Sequence, residues 1–206
     1  MKTVCLIGIP AAVGLMILAE PLCASLFQYG KFGAQDTRMV AAAVSAMSIG
    51  IPAFMLSKVL LPAFFSRHDT KTPMHVAVWT VFVNIVLIAS MVTVLRWLES
   101  SFAHVGIALA TALAGIFNAF ALERILRREG VYSPEAGWGR WLLKIAIACT
   151  VMATVVLLIR WQVGDWRLLP GLHRIGWLLV AVIAGASSYL ATHWAFGLRL
   201  HHLREV

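Results

Sequence analysis

The sequence predicts an all-α fold, a polytopic membrane bundle of six transmembrane helices, and three observations predict it. Of the 206 residues 61% are apolar and only 13% charged, against roughly 45–50% and about 25% in soluble domains. A water-soluble fold of this size cannot hide that much apolar surface behind so few charges. Six runs, 4–27, 41–65, 76–95, 105–126, 141–159 and 175–196, are each long enough to cross a hydrocarbon core of about 30 Å at about 1.5 Å per helical residue. Lipid admits only helices or closed barrels, and these runs far exceed barrel strands of roughly 9–11 alternating residues. Finally, Trp79, Trp97, Trp138, Trp141, Trp161, Trp166, Trp177 and Trp194 all fall near span ends or in connections, at the headgroup level that tryptophan prefers.

The first span opens on Lys2 and carries Pro10, Pro21 and an acidic residue, Glu20. Lys2, the apolar stretch and Cys23-Ala24-Ser25 imitate a secretory signal with its cleavage site. Pro10 inside the run, Glu20-Pro21 before the site and five further spans argue for retention in the mature chain. Gln28 to Arg38 is expected as a short outer loop. The second span holds Pro52 and Pro62, with Gly50 just ahead, and a lysine, Lys58. Each interior proline removes a helix hydrogen bond and kinks the chain. Such breaks either shape packing or mark the moving parts of transporters.

Glu20 and Lys58 are the ions at membrane depth, where an unpaired charge costs a few kcal/mol or more. Each lies seven residues inside its own span end, about 10 Å deep, but from opposite faces, so no direct bridge between them is expected. For Lys58 two readings stand: a stem that snorkels to the cytoplasmic interface, or a ligand of a water-filled cavity. Glu20 likewise is either a partly wetted carboxylate beside a kink or a second member of that cavity.

After the third span, 76–95, the fourth repeats small residues at Gly106, Ala110 and Ala114, with Asn118 on the same stripe. This pattern permits close helix approach with an amide across the interface. The last two spans lack interior charge between Lys144 and Arg160 and between Arg174 and Arg199, which suits them to lipid contact. His193, His201 and His202 end the last helix as an interfacial cluster, without the convergent ligands a metal needs.

Alternating the spans puts Lys2, Arg67, Lys71, Arg124, Arg127, Arg128, Arg140, Lys144, Arg199 and Arg204 on one side. Lys31, Arg38, Arg96, Arg160, Arg167 and Arg174 fall on the other. The excess sets both termini in the cytoplasm. The net charge of +8 therefore reads as topology, not as a nucleic-acid partner, for no basic stripe interleaved with aromatics is present. Cys5, Cys23 and Cys149 lack the spacing of metal or redox sites. No phosphate loop, metalloprotease motif or nucleophile elbow occurs, so no enzyme, cofactor or metal is expected.

Two stretches are more specific. Leu26-Phe27-Gln28-Tyr29-Gly30-Lys31-Phe32 is followed by Asp36, and Lys58-Val59-Leu60-Leu61-Pro62-Ala63-Phe64-Phe65-Ser66-Arg67-His68-Asp69-Thr70-Lys71-Thr72-Pro73 comes after it. In this order and spacing they resemble the C-terminal part of the MurJ (MviN) lipid II flippases of the bacterial inner membrane, in the MOP exporter superfamily. Ser133-Pro134 and Gly137-Trp138 extend the likeness, while Leu61 and Phe65 stand where the family often has a small residue and Tyr.

The resemblance implies a fourteen-helix transporter of which this chain matches helices nine to fourteen. Residues 1–130 would be the last four helices of the C-terminal lobe, and 131–206 two added helices bordering a lipid-tail groove. It implies lipid II, the undecaprenyl-linked peptidoglycan precursor, as substrate, membrane lipids as surroundings and an N-terminal half as partner. The family's cationic cavity depends on arginines in helices one, two and eight, which have no counterpart here. A chain beginning at Met1 inside helix nine is then expected to be a fragment, a truncated gene model or a decayed copy, inactive alone. By the same resemblance Lys58 joins Glu20 as a substrate-route candidate, and Arg67, Asp69, Lys71, Thr72 and Pro73 form a cytoplasmic hinge and anchor. Asp69 is expected to cap the following helix, with Arg67 and Lys71 toward the anionic leaflet. The competing readings are a stand-alone six-helix scaffold and one half of a two-chain exporter.

Overall fold

A computed structural model describes residues 1–97, 103–132, 137–166 and 169–196. Arg167, Arg199, Arg204, His201, His202 and Ser133-Pro134, used in the sequence reading, lie outside them. The described residues form seven helices: α1 (Lys2–Phe27), α2 (Ala34–Ser48), α3 (Ile51–Phe65), α4 (Lys71–Trp97), α5 (Ala103–Arg128), α6 (Trp138–Val163) and α7 (Gly171–Ala195). Five are long and apolar enough to cross a membrane, and α2 with α3 makes a sixth span when the bent pair is counted as one. The chain is a polytopic membrane helix bundle.

The second span differs from the single run 41–65 in two ways. It starts earlier, because the Asp36 carboxylate reaches back to accept the Gly33 N–H at 2.9 Å while Thr37 N–H and Oγ1 both donate to the Gly33 carbonyl. That is a helix N-terminus built on a Gly N-cap with an acidic third residue, so the connection expected over 28–38 shrinks to residues 28–33. It is also broken: α2 and α3 meet at Ile49-Gly50 with a bend of 43°. Gly50 is the N-cap of α3 and Pro52 sits in its first turn, where the missing N–H had no partner to lose. Pro52 therefore starts a helix instead of kinking one. Pro10 and Pro21 lie inside the uninterrupted α1, and Pro62 in the last turn of α3.

Two compact units divide the chain: Met1–Gly8 with Ala46–Ala136, and Ile9–Ser45 with Gly137–Val206. In the first, α5 packs along α4 and α3. Small residues allow it: a Cβ on Gly106 would meet Met91 Cβ at 3.2 Å, and one on Gly50 would meet the Ala112 Cα at 2.9 Å. This is the close backbone approach by which membrane helices gain van der Waals contact. Leu60, Phe64, Val76, Leu122 and Leu126 form the buried cluster at one end. In the second unit α6 and α7 pair, with Ala181, Gly185, Tyr189 and His193 buried at every fourth residue of α7. Ala19, Cys23 and Ala41 join α1 to α2.

Candidate functional site

In the first unit, Lys58 projects from α3 as an exposed side chain, while its neighbours Ser57 and Leu60 are buried. The buried side is polar at one point. Asn118 of α5 donates from Nδ2 to Ser57 Oγ at 3.1 Å, and Thr80 Oγ1 of α4 lies 3.2 Å from Asn118 Oδ1 and 2.8 Å from the Val76 carbonyl. One amide thus ties three helices within their apolar spans, the packing role its stripe foretold, with partners on two helices that spacing could not name. Lys58 takes no part in this network.

The turn that follows α3 is built from backbone bonds. Asp69 N–H donates to the Phe64 carbonyl at 3.1 Å and His68 N–H to the Phe65 carbonyl at 3.0 Å, the paired bonds of a Schellman stop. His68 occupies the left-handed position with φ 57°, where glycine is usual. The end of α5 repeats the arrangement: Val131 N–H donates to the Leu126 carbonyl, Gly130 N–H to the Arg127 carbonyl, and Gly130 has φ 69°. Arg67 of one stop and Glu129 of the other form an ion pair. Below them Phe64 and Leu126 share the buried cluster. The start of α4 is fixed in turn, since Asp69 Oδ1 accepts the Thr72 N–H at 3.0 Å. Hydrogen bonds from the Thr72 hydroxyl and N–H hold the Asp69 carboxyl below its ordinary pKa. Pro73 is buried in that first turn and Lys71 is exposed.

In the second unit Glu20 pairs with Arg160 of α6, and the same guanidinium donates from Nη1 to the Ile17 carbonyl at 2.9 Å. Arg174, at the start of α7 and 8% exposed, donates from Nε to the Leu169 carbonyl and from Nη1 to the Ala24 carbonyl at 3.1 Å. Tyr29 Oη adds a bond to the Ser25 carbonyl at 2.8 Å. Arg174 Nη1 and Tyr29 Oη thus serve Ala24 and Ser25 in the last turn of α1, where carbonyls lack an intrahelical partner. Sequence order had assigned Arg160 and Arg174 to an outer connection, where they counted only toward orientation. Both also act on α1, and for Arg160 the available signal was Pro21, whose missing N–H leaves the Ile17 carbonyl in need of a donor from elsewhere.

Within the first unit the ends of α3, α4 and α5 meet around the Arg67–Glu129 pair and the Asp69 cap, and within the second Arg160 and Arg174 tie α6 and α7 to α1. Long apolar helices, one broken span and charged side chains within or beside those spans define a polytopic membrane helix bundle. The sequence pattern of the family described as "Lipid II flippase MurJ" matches residues 1–169. The chain belongs to that family. Among its relatives, a "Probable lipid II flippase MurJ" of Vibrio cholerae is 35% identical over 207 residues, covering 98% of this chain and 37% of the relative. The "Lipid II flippase MurJ" of Burkholderia cenocepacia is 31% identical over 205 residues, covering 97% and 38%. One from Haemophilus influenzae is 30% identical over 202 residues, covering 98% and 38%. The chain thus spans little more than a third of these relatives' length. It is a multi-pass protein of the bacterial inner membrane.

Proposed function

We propose that this chain is the C-terminal part of a lipid II flippase, moving the undecaprenyl-pyrophosphate-linked precursor from the inner to the outer leaflet together with a preceding N-terminal half. The observation that carries the reading is the continuous likeness to relatives so described over nearly the whole chain. In this reading residues 1–130 complete a C-terminal lobe, 131–206 add two helices that border the lipid tail, and both termini lie in the cytoplasm. Lys58 lines the substrate route: an exposed ammonium at membrane depth, about 10 Å inside its helix end, suits a phosphate-bearing passenger and does not suit hydrocarbon, where it costs roughly 2.5–3.5 kcal/mol. The turn at Arg67, Asp69, Lys71, Thr72 and Pro73 is the cytoplasmic hinge and anchor, and its double Schellman stop supports a structural role there.

The test is a chimera in which this chain replaces the matching segment of the Burkholderia cenocepacia relative, in cells depleted of their own flippase. Growth and lipid II movement between leaflets are the expected result. A chimera that folds, reaches the membrane and moves no lipid II would refute the reading and leave a membrane scaffold. Within an active chimera, Lys58→Ala is expected to abolish transport at unchanged folded yield; transport at the parent rate would remove Lys58 from the route. Asp69→Ala is expected to lower folded yield more than transport per folded molecule.

A further inference from the structure

Pro21 has no N–H, so the Ile17 carbonyl four residues earlier in α1 has no intrahelical donor. A carbonyl left bare in an apolar setting is costly, and in lipid water is scarce. The Arg160 guanidinium meets that carbonyl from α6 at 2.9 Å and binds the Glu20 carboxylate with its other arm. Three neighbouring features of α1, the proline, the bare acceptor and the carboxylate, are therefore answered by one side chain. The forked, planar group of arginine can serve two acceptors at once, which a lysine ammonium on a single stem does poorly.

We propose that Pro21 and Arg160 are a matched pair: the proline opens one backbone acceptor on α1, Arg160 closes it from α6, and Glu20 holds the guanidinium in place. Arg160 is a positioning residue that sets where α6 stands along α1. Close backbone packing in this unit runs between α6 and α7, so α7 moves with its partner. Arg174, at the other end of the α6–α7 connection, holds the Ala24 carbonyl. The α6–α7 hairpin is thus seated on the second half of α1 by two arginines reading backbone carbonyls. In this account Glu20 serves the seating of helices and is not a ligand of the transported molecule.

The proposal predicts coupling between two residues that touch different parts of the same carbonyl. In the purified 206-residue chain, Arg160→Met removes both hydrogen bonds while keeping an unbranched apolar stem. Pro21→Ala restores an N–H to Ile17. The drop in thermal midpoint caused by Arg160→Met should be at least halved in the Pro21→Ala background, because the carbonyl is then satisfied within α1. Equal drops in the two backgrounds would overturn the pairing. Should Arg160→Met fail to fold, Arg160→Lys keeps the charge opposite Glu20 but not the fork, and the same comparison applies to it. A second readout places spin labels at the exposed positions Met16 and Trp161, with the native cysteines replaced by alanine. The parent should give one narrow distance, and Arg160→Lys a clearly broader or displaced one. An unchanged distribution would overturn the positioning role.

Discussion

Gly115→Ala tests whether the α3–α5 contact is as close as the structure has it. A Cβ built on Gly115 stands 2.2 Å from Phe54 Cε1 and 2.8 Å from its Cδ1, whereas carbon atoms rest about 3.5–4.0 Å apart. The ring would have to retreat by about 1.3 Å. It has little room, since its other edge, Cε2, lies 2.8 Å from where a Gly50 Cβ would stand. Phe54 fills a slot made by two glycines, one on its own helix and one on α5. Overpacking of this kind costs about 1–3 kcal/mol, and the helix preference of Ala over Gly returns about 1 kcal/mol at most. The expected net loss is about 0.5–2 kcal/mol, measured by thermal or denaturant unfolding in detergent. Gly176→Ala, where a Cβ meets nothing within 4 Å, is the control and should be neutral or mildly stabilising. Phe54→Leu removes the ring, so Gly115→Ala should cost less in that background, with a coupling of about 1 kcal/mol. Gly115→Ala as stable as Gly176→Ala, or equally costly with and without the Phe54 ring, would refute the packing argument.

Three further outcomes are expected. His68 holds φ 57° at a position that favours glycine, so His68→Gly should stabilise the chain by about 0.5–1 kcal/mol, and His68→Val should destabilise it, read as shifts in thermal midpoint. The Asp69 carboxyl is held below its unfolded pKa by Thr72, so its contribution is fully present above the usual carboxylate range and fades as pH falls through the lowered folded value. An acid titration of stability should accordingly lose part of its acid limb in Asp69→Asn, and an identical limb would exclude the cap as its source. Arg174→Met strands the Ala24 and Leu169 carbonyls at about 1–3 kcal/mol each. Arg174→Lys should recover only part of that loss, and full recovery would mean that charge alone, not the forked geometry, matters.

Hydropathy made five of the seven helices legible because lipid enforces one rule, an apolar run without bare backbone. It failed at the second span for the same reason. Ile49, Gly50 and Ile51 are as apolar as the residues around them, so an average over the run passes smoothly across the break. The local chemistry did carry the signal: Gly50 two residues before Pro52 marks a helix start, and Gly33 three before Asp36 marks another. Asn118 was legible as an amide on a packing stripe, but Ser57 and Thr80 became its partners only when three helices were brought side by side.

The charges follow from backbone accounting more than from depth. Glu20 and Lys58 look alike in the sequence, each an ion seven residues inside a span end. Pro21 separates them. By withdrawing one N–H beside Glu20 it creates a local demand for a cation with two donors, and Arg160, nominally a loop residue, answers the carbonyl and the carboxylate together. Lys58 stands in a different setting. The polar residue next to it, Ser57, already has Asn118, and its own side chain is exposed, away from the buried side of α3. Among the described residues no carboxylate pairs with Lys58, and a charge at the depth proposed for it has a use if something polar meets it there. In the proposed function the substrate route is therefore assigned to Lys58, and in the proposed pairing Glu20 goes with the architecture that seats α6 and α7.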